Sequence, residues 1–194
     1  PLRQVVTEAA AARARIPVCE PWLDGNELAY VTDAVRSGWI SSSGEYLRRF
    51  EDGFAAYCEV KHGIGVCNGT VALHLACAAL GIGPGDEVIM PTLTIASTVF
   101  AALYCGAKPV FVDVQPDTWN MDPAQLEAKI TRKTRAIVPV HMYGHPCDMD
   151  AIMRVARRHR IAVIEDAAQA HGAQYKGRRT GSFGKLSCFS FYSN

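Results

Sequence analysis

Between Gly63 and Glu165, short apolar β-type runs alternate with helical patterns, and this alternation constrains the chain more than any other feature. Gly63–Cys67, Asp86–Met90, Pro109–Val114, Ala136–Val140 and Ile161–Glu165 read as strands. Val71–Leu80, Ala96–Tyr104, Pro123–Ile130 and Asp148–His159 read as the helices between them. Parallel strands need a crossover of about a dozen residues or more, which is what the helices supply. The pattern therefore predicts an α/β fold, a mainly parallel sheet with helices on both faces. Punctuation agrees: Gly81 and Gly106 stand just past helices, Pro91 closes a strand, and Asp122-Pro123 opens a helix. Upstream, Asp24 is placed to cap a helix through about Arg36, with Leu28, Val31 and Val35 on one face. Gly38–Gly44 reads as a loop, and Glu45–Tyr57 carries Phe50, Phe54 and Tyr57 at helical spacing. Residues 1–16 form an Ala/Arg-rich arm, and residues 17–194 read as one domain without repeats or linkers. Pro1 is not a natural start, so further residues are expected before it.

Composition narrows the partners. With 20 basic against 19 acidic side chains, the net charge of +1 gives no support for nucleic acid or an anionic membrane. The apolar runs are broken well before the roughly 18 residues that a membrane span needs. Seven scattered cysteines suit reduced core thiols better than a disulfide framework, which points to a cytoplasmic protein.

In an open α/β sheet, ligands bind beyond the carboxyl ends of the strands. Val163-Ile164-Glu165-Asp166-Ala167-Ala168-Gln169-Ala170-His171-Gly172 places an acidic pair there. A buried carboxylate needs a cation, a metal or a strong donor opposite it, and a protonated pyridine nitrogen would serve; turn hydrogen bonds are the commoner role for such an Asp. Asn68-Gly69-Thr70 lies in a strand-to-helix turn whose free amides can cradle phosphate, although the same residues also make a plain helix cap. Gly63-Ile64-Gly65-Val66-Cys67-Asn68 fails as a dinucleotide fingerprint, because its glycines begin the strand and no third small residue follows. His141-Met142-Tyr143-Gly144-His145-Pro146-Cys147-Asp148 holds N, S and O donors, but the spacing fits no standard zinc site. It reads instead as a loop into a helix capped by Asp148, and no metal is expected. Ser190 and Ser193 flank an aromatic strand end, and Trp39, Trp119 and Tyr143 read as packing residues.

Asn68-Gly69-Thr70-Val71-Ala72-Leu73, His141-Met142-Tyr143-Gly144-His145-Pro146 and Glu165-Asp166-Ala167-Ala168-Gln169-Ala170-His171-Gly172, together with Trp39-Ile40-Ser41-Ser42, Gly83-Pro84-Gly85-Asp86-Glu87-Val88-Ile89, Pro91-Thr92-Leu93-Thr94 and Phe189-Ser190-Phe191, occur in the order found in one family. The chain resembles the DegT/DnrJ/EryC1/StrS nucleotide-sugar aminotransferases, which depend on pyridoxal 5'-phosphate (PLP) and have the aspartate aminotransferase-like, type I fold. The resemblance runs from about residue 17 to Asn194. It implies the N-terminal part of the large, cofactor-binding domain, with the remainder, the small C-terminal domain and a neighbouring subunit's phosphate contact lying elsewhere. The run Val138–Asp150 carries a narrower likeness to the branch that aminates GDP-linked 4-keto-6-deoxymannose. By the same resemblance Gly69, Thr70 and Ser190 hold the cofactor phosphate, Asp166 pairs with the pyridinium nitrogen, and Gln169 lies near the phenolic oxygen. Ile95 takes the place of an aromatic residue that stacks on the ring in many relatives, and Trp39, Ser41 and Ser42 border the sugar-nucleotide entrance. The implied partners are a nucleotide sugar, glutamate as amino donor, and a second copy of the chain.

Relatives carry the Schiff-base lysine directly after the residue matching Asn194. None of the six lysines here stands at that place, and Lys185 falls ten residues early. The resemblance thus expects the nucleophile at the next position of the full-length protein. Histidine there would mark a sugar 3-dehydratase of the same family, and a silent regulatory protein that binds the cofactor is the other alternative.

Overall fold

The computed structural model describes residues 22–191. The arm expected over residues 1–16 lies outside them, as do Ser193 and the approach to the expected lysine. The described residues divide into two compact units, residues 22–38 and residues 39–191. The first contributes helix α1 (Glu27–Ser37). It starts later than Asp24: Asn26 takes the N-cap position without a side-chain cap, and the Gly25 N–H turns to the Glu27 carboxylate. Gly38 ends it in the left-handed region at φ 75°, donating to the Val35 carbonyl, the ordinary way for a helix to stop.

The second unit holds α2 (Glu45–Tyr57), α3 (Gly69–Ala79), β1 (Glu87–Pro91), α4 (Ala96–Tyr104), β2 (Lys108–Val112), α5 (Leu126–Lys129), β3 (Thr134–Ile137), α6 (Met149–His159), β4 (Ala162–Asp166), the hairpin β5 (Gln174–Tyr175) and β6 (Arg178–Arg179), and β7 (Leu186–Cys188). Five strands form one sheet in the order β2-β1-β3-β4-β7, with every pair parallel. The predicted α/β architecture is thus observed.

Alternation along the strands sorts two cores. Val88 and Met90 of β1, Ala136 of β3 and Ile164 of β4 pack with Leu73, Ala76, Ala101 and Ala102 of α3 and α4. Ile89, Ile137 and Val163, each one residue out of step, pack with Leu126, Met149, Ile152 and Ala156 of α5 and α6. A side-chain period of two buries both faces and explains why these strands are nearly continuously apolar.

Two expectations need correction. Gly63–Cys67 is not a strand. It has no ladder partner among the described residues and lies against α2: the Gly65 N–H donates to Glu51 Oε1 at 2.7 Å. A Cβ on Gly63 would come within 2.6 Å of the Glu51 carbonyl, and one on Gly65 within 2.6 Å of Leu47 Cδ1. The glycines serve this close approach. The helix expected over Pro123–Ile130 splits into a 3-10 turn, Pro123–Gln125, followed by the single turn of α5. Asp122 spends its carboxylate on the Ala124 N–H, which favours the tighter turn.

Candidate functional site

Asp166 is the last residue of β4 rather than the first beyond it. Its neighbours settle its direction. Ile164, two residues back, packs on the α3/α4 side, so Asp166 faces that side while Glu165 faces the other. Only 4% of Asp166 is exposed. Oδ2 accepts the Thr98 hydroxyl at 2.7 Å and Oδ1 accepts the Ala168 N–H at 3.2 Å. Burial raises its pKa above the ordinary carboxylate range, with the Thr98 and Ala168 hydrogen bonds pulling the other way. Both donors are neutral, so the site still favours a cationic group against this carboxylate.

Glu165 is buried completely and is fully engaged. Oε1 accepts the N–H groups of Phe183 and Gly184, both at 2.7 Å, and Oε2 accepts that of Gly181 at 2.8 Å. His141 Nε2 lies 3.1 Å from Oε2, while His141 Nδ1 accepts the Cys147 N–H, so the ring proton points at Glu165. Burial pushes this carboxyl up, but the His141 bond and the loop N–H groups outweigh it and hold the pKa below its usual value. His141 also donates its backbone N–H to the Asp166 carbonyl. The pair pins the 181–184 loop, which feeds β7 alongside β4.

On the Asp166 side, Asn68 caps α3 by accepting the Val71 N–H, which leaves the first-turn amides of Gly69 and Thr70. The helix starts at Gly69, two residues earlier than Val71. A Cβ on Gly69 would meet Ser190 Cβ at 2.9 Å and Ser190 Oγ at 3.3 Å, so only glycine lets the two segments approach this closely. Three predicted residues, Gly69, Thr70 and Ser190, are thereby gathered at one helix N-terminus, where amides and the helix dipole favour an anion.

Gln169 is exposed and its Oε1 accepts the Tyr143 N–H at 3.0 Å, which leaves Nε2 as a donor. Tyr143 adopts the left-handed region at φ 50° to make that bond. Its turn is braced from both ends by Asn120: Oδ1 accepts the Met142 N–H and Nδ2 donates to the His145 carbonyl. Ile95, 57% exposed, stands at the N-cap of α4 and offers an apolar surface. Trp39, Ser41 and Ser42 form a separate exposed turn, and no hydrogen bond among the described residues joins them to Asp166, Thr70 or Gln169.

Three of the donors weighed for zinc have other work. His141 is committed to Glu165 and the Cys147 N–H, Cys147 Sγ donates to the Val140 carbonyl, and Asp148 caps α6 through the Ala151 N–H. Burial also pushes the Cys147 thiol up to about 12, away from the thiolate a metal needs.

Sequence reasoning missed Thr98, Asn120 and the Glu165–His141 pair. Thr98 lies four residues beyond a quoted motif, yet no local signal ties it to a carboxylate 68 positions away.

The sequence matches the DegT/DnrJ/EryC1/StrS aminotransferase family over residues 21–194. The chain belongs to that family. Among curated relatives, GDP-perosamine synthase of Caulobacter vibrioides is 56% identical over 180 residues, covering 93% of this chain and 48% of the relative. The Escherichia coli O157:H7 protein of the same name is 52% identical, covering 92% and 49%. The chain therefore spans about half the length of the curated relatives it matches. An aminotransferase from Psychrobacter cryohalolentis superposes with a TM-score of 0.85 at 42% identity, covering 90% of this chain and 45% of that one. Spr1654 from Streptococcus pneumoniae in its PLP-form gives 0.88 at 34% identity, covering 93% and 50%.

The residues of this DegT/DnrJ/EryC1/StrS chain fit PLP on their own geometry. The Gly69–Ser190 approach and the free amides of α3 suit a phosphate. The incompletely neutralised Asp166 suits a protonated ring nitrogen, and the free amide of Gln169 suits a phenolic oxygen.

Proposed function

We propose that the full-length protein is a PLP-dependent aminotransferase that turns a keto carbon of a nucleotide-linked deoxysugar into an amine, with glutamate as donor. The observation that carries this reading is Asp166: a buried carboxylate held by two neutral donors at a strand end, on the side where α3 offers its amides. Bound PLP supplies an electron sink for charge developing at the substrate carbon. Asp166 holds the ring-nitrogen proton in place, Gly69 and Thr70 donate backbone N–H groups to the phosphate, and Ser190 adds its hydroxyl. Gln169 Nε2 donates to the phenolic oxygen, and Ile95 shields one ring face from water. The Schiff-base lysine follows Asn194, and Trp39, Ser41 and Ser42 border the sugar nucleotide. Within the family we assign the conversion of GDP-4-keto-6-deoxymannose to GDP-perosamine, because three GDP-perosamine synthases are 46–56% identical to the chain. On the family resemblance we also assign the full-length enzyme to the cytoplasm as a homodimer. No helix among the described residues is long and apolar enough to cross a membrane.

The test uses the protein from its native gene. Purification with a violet absorbance band that borohydride and glutamate both bleach, and formation of GDP-perosamine from GDP-4-keto-6-deoxymannose, is the expected result. A band indifferent to borohydride would favour the dehydratase, and bound cofactor without any turnover would favour the silent regulator. Turnover of other nucleotide sugars only would remove the substrate assignment and leave the reaction class standing.

A further inference from the structure

Two consecutive hydroxyl residues in the first turn of α4 each hold one of the residues that grip the cofactor in the reading above. The Thr98 side chain is 1% exposed and donates to Asp166 Oδ2 at 2.7 Å. A hydroxyl has one proton; with that of Thr98 given to Asp166, Thr98 Oγ1 accepts in its 2.7 Å contact with Thr94 Oγ1, whose own proton is shared with the Ile95 carbonyl at 3.3 Å. The chain Thr94 to Thr98 to Asp166 is therefore directional. With Ala168 on the other oxygen, it fixes the plane of the carboxylate. One residue earlier, Ser97 Oγ lies 2.7 Å from Thr70 Oγ1, at the start of α3. Successive helical residues project about 100° apart, so a single turn can reach both targets at once. The turn itself is firmly seated, because Ala101 and Ala102, one helical turn further on, are 2% and 0% exposed against the sheet.

We propose that the first turn of α4 is a ruler that sets the span of the cofactor cradle, with Ser97 positioning Thr70 at the phosphate end and Thr98 positioning Asp166 at the ring-nitrogen end. Neither residue touches the cofactor; each acts through the residue it holds. The ruler rests on the PLP reading of the site. It explains why Thr98, buried, and Ser97, half-buried, carry hydroxyls where packing alone would be met by alanine or valine, since each one satisfies a polar partner on a different element.

The experiment uses the full-length protein stripped of cofactor and retitrated, with intrinsic fluorescence as the readout. Three ligands are compared: PLP; pyridoxal, which lacks the phosphate; and the 1-deaza analogue of PLP, which has carbon in place of the ring nitrogen. Thr98→Val is expected to weaken PLP and pyridoxal about tenfold, the scale of one hydrogen bond to a charged group, and to leave the deaza analogue unchanged. Ser97→Ala is expected to weaken PLP and the deaza analogue about threefold to fivefold and to leave pyridoxal unchanged. Thr98→Ser, which keeps the hydroxyl, should restore wild-type affinities. Equal loss for all three ligands, or none, would overturn the ruler, since a merely structural role has no reason to distinguish one end of the ligand from the other. Wild-type protein that fails to prefer PLP over both analogues would overturn the cofactor reading and the ruler together. Wild type that prefers PLP, with variants that do not discriminate, overturns the ruler alone.

Discussion

Glu165 and Asp166 are adjacent carboxylates at the end of one strand, both buried, and the fold treats them in opposite ways. Glu165 gathers three loop N–H groups and the His141 ring, and its pKa is held below the ordinary range. Asp166 gathers one hydroxyl and one N–H, and burial raises its pKa. Depth and chemistry are nearly the same; the number of donors differs. A fully satisfied buried charge serves architecture, while an incompletely satisfied one is left for a ligand to complete.

That contrast can be broken from either side. The largest effect is expected at Glu165. Glu165→Ala strands the Gly181, Phe183 and Gly184 N–H groups and the buried His141 ring, and should cost roughly 3–5 kcal/mol of stability, read as a fall in the urea midpoint and in soluble yield. Asp166→Asn should do the reverse. Thr98 can turn its hydroxyl to accept from the new amide, so the melting temperature of the cofactor-free protein should hold or rise. Cofactor-dependent turnover should meanwhile fall by about 10²–10³-fold, the scale of removing one preorganised electrostatic group. A large loss of stability in Asp166→Asn would show that both carboxylates are architectural.

The pH dependence sharpens the same comparison with a smaller effect. Glu165 titrates below its ordinary 4.5 in the folded protein, so its contribution is present above pH 4.5 and is lost as pH falls through the folded value. Asp166 titrates above its ordinary 3.8, so its contribution is complete below pH 3.8 and is lost as pH rises through the folded value. Urea midpoints followed from acid to neutral pH should lose the acid-side decline in Glu165→Gln. In Asp166→Asn they should lose the opposing decline as pH rises. Identical profiles for the two variants would contradict the assignment of opposite shifts.

Much of the fold is legible in local pattern. The bounds of α2 and α4 follow directly from spacing and flanking glycine, and the end of β4 is read to within a residue. The misreadings have specific causes. Gly63–Cys67 has strand composition, but a strand exists only with a hydrogen-bonded neighbour, and composition does not supply one. α3 begins early because the Asn68 side chain, not the apolar period, decides where the helix opens. Asn120, 2% exposed, was invisible as a site residue because its two partners, Met142 and His145, lie more than twenty positions ahead.

The amino-acid sequence by itself determined the strand–helix alternation, hence a parallel sheet with two covered faces, and set two carboxylates at a strand end where such sheets bind ligands. The tertiary structure alone decided what each carboxylate became. A side-chain period of two sends neighbours to opposite faces, and the donors waiting there come from α4, 68 positions earlier, on one side and from the 181–184 loop on the other. Those distances along the chain are closed only by the packing of helices onto the sheet.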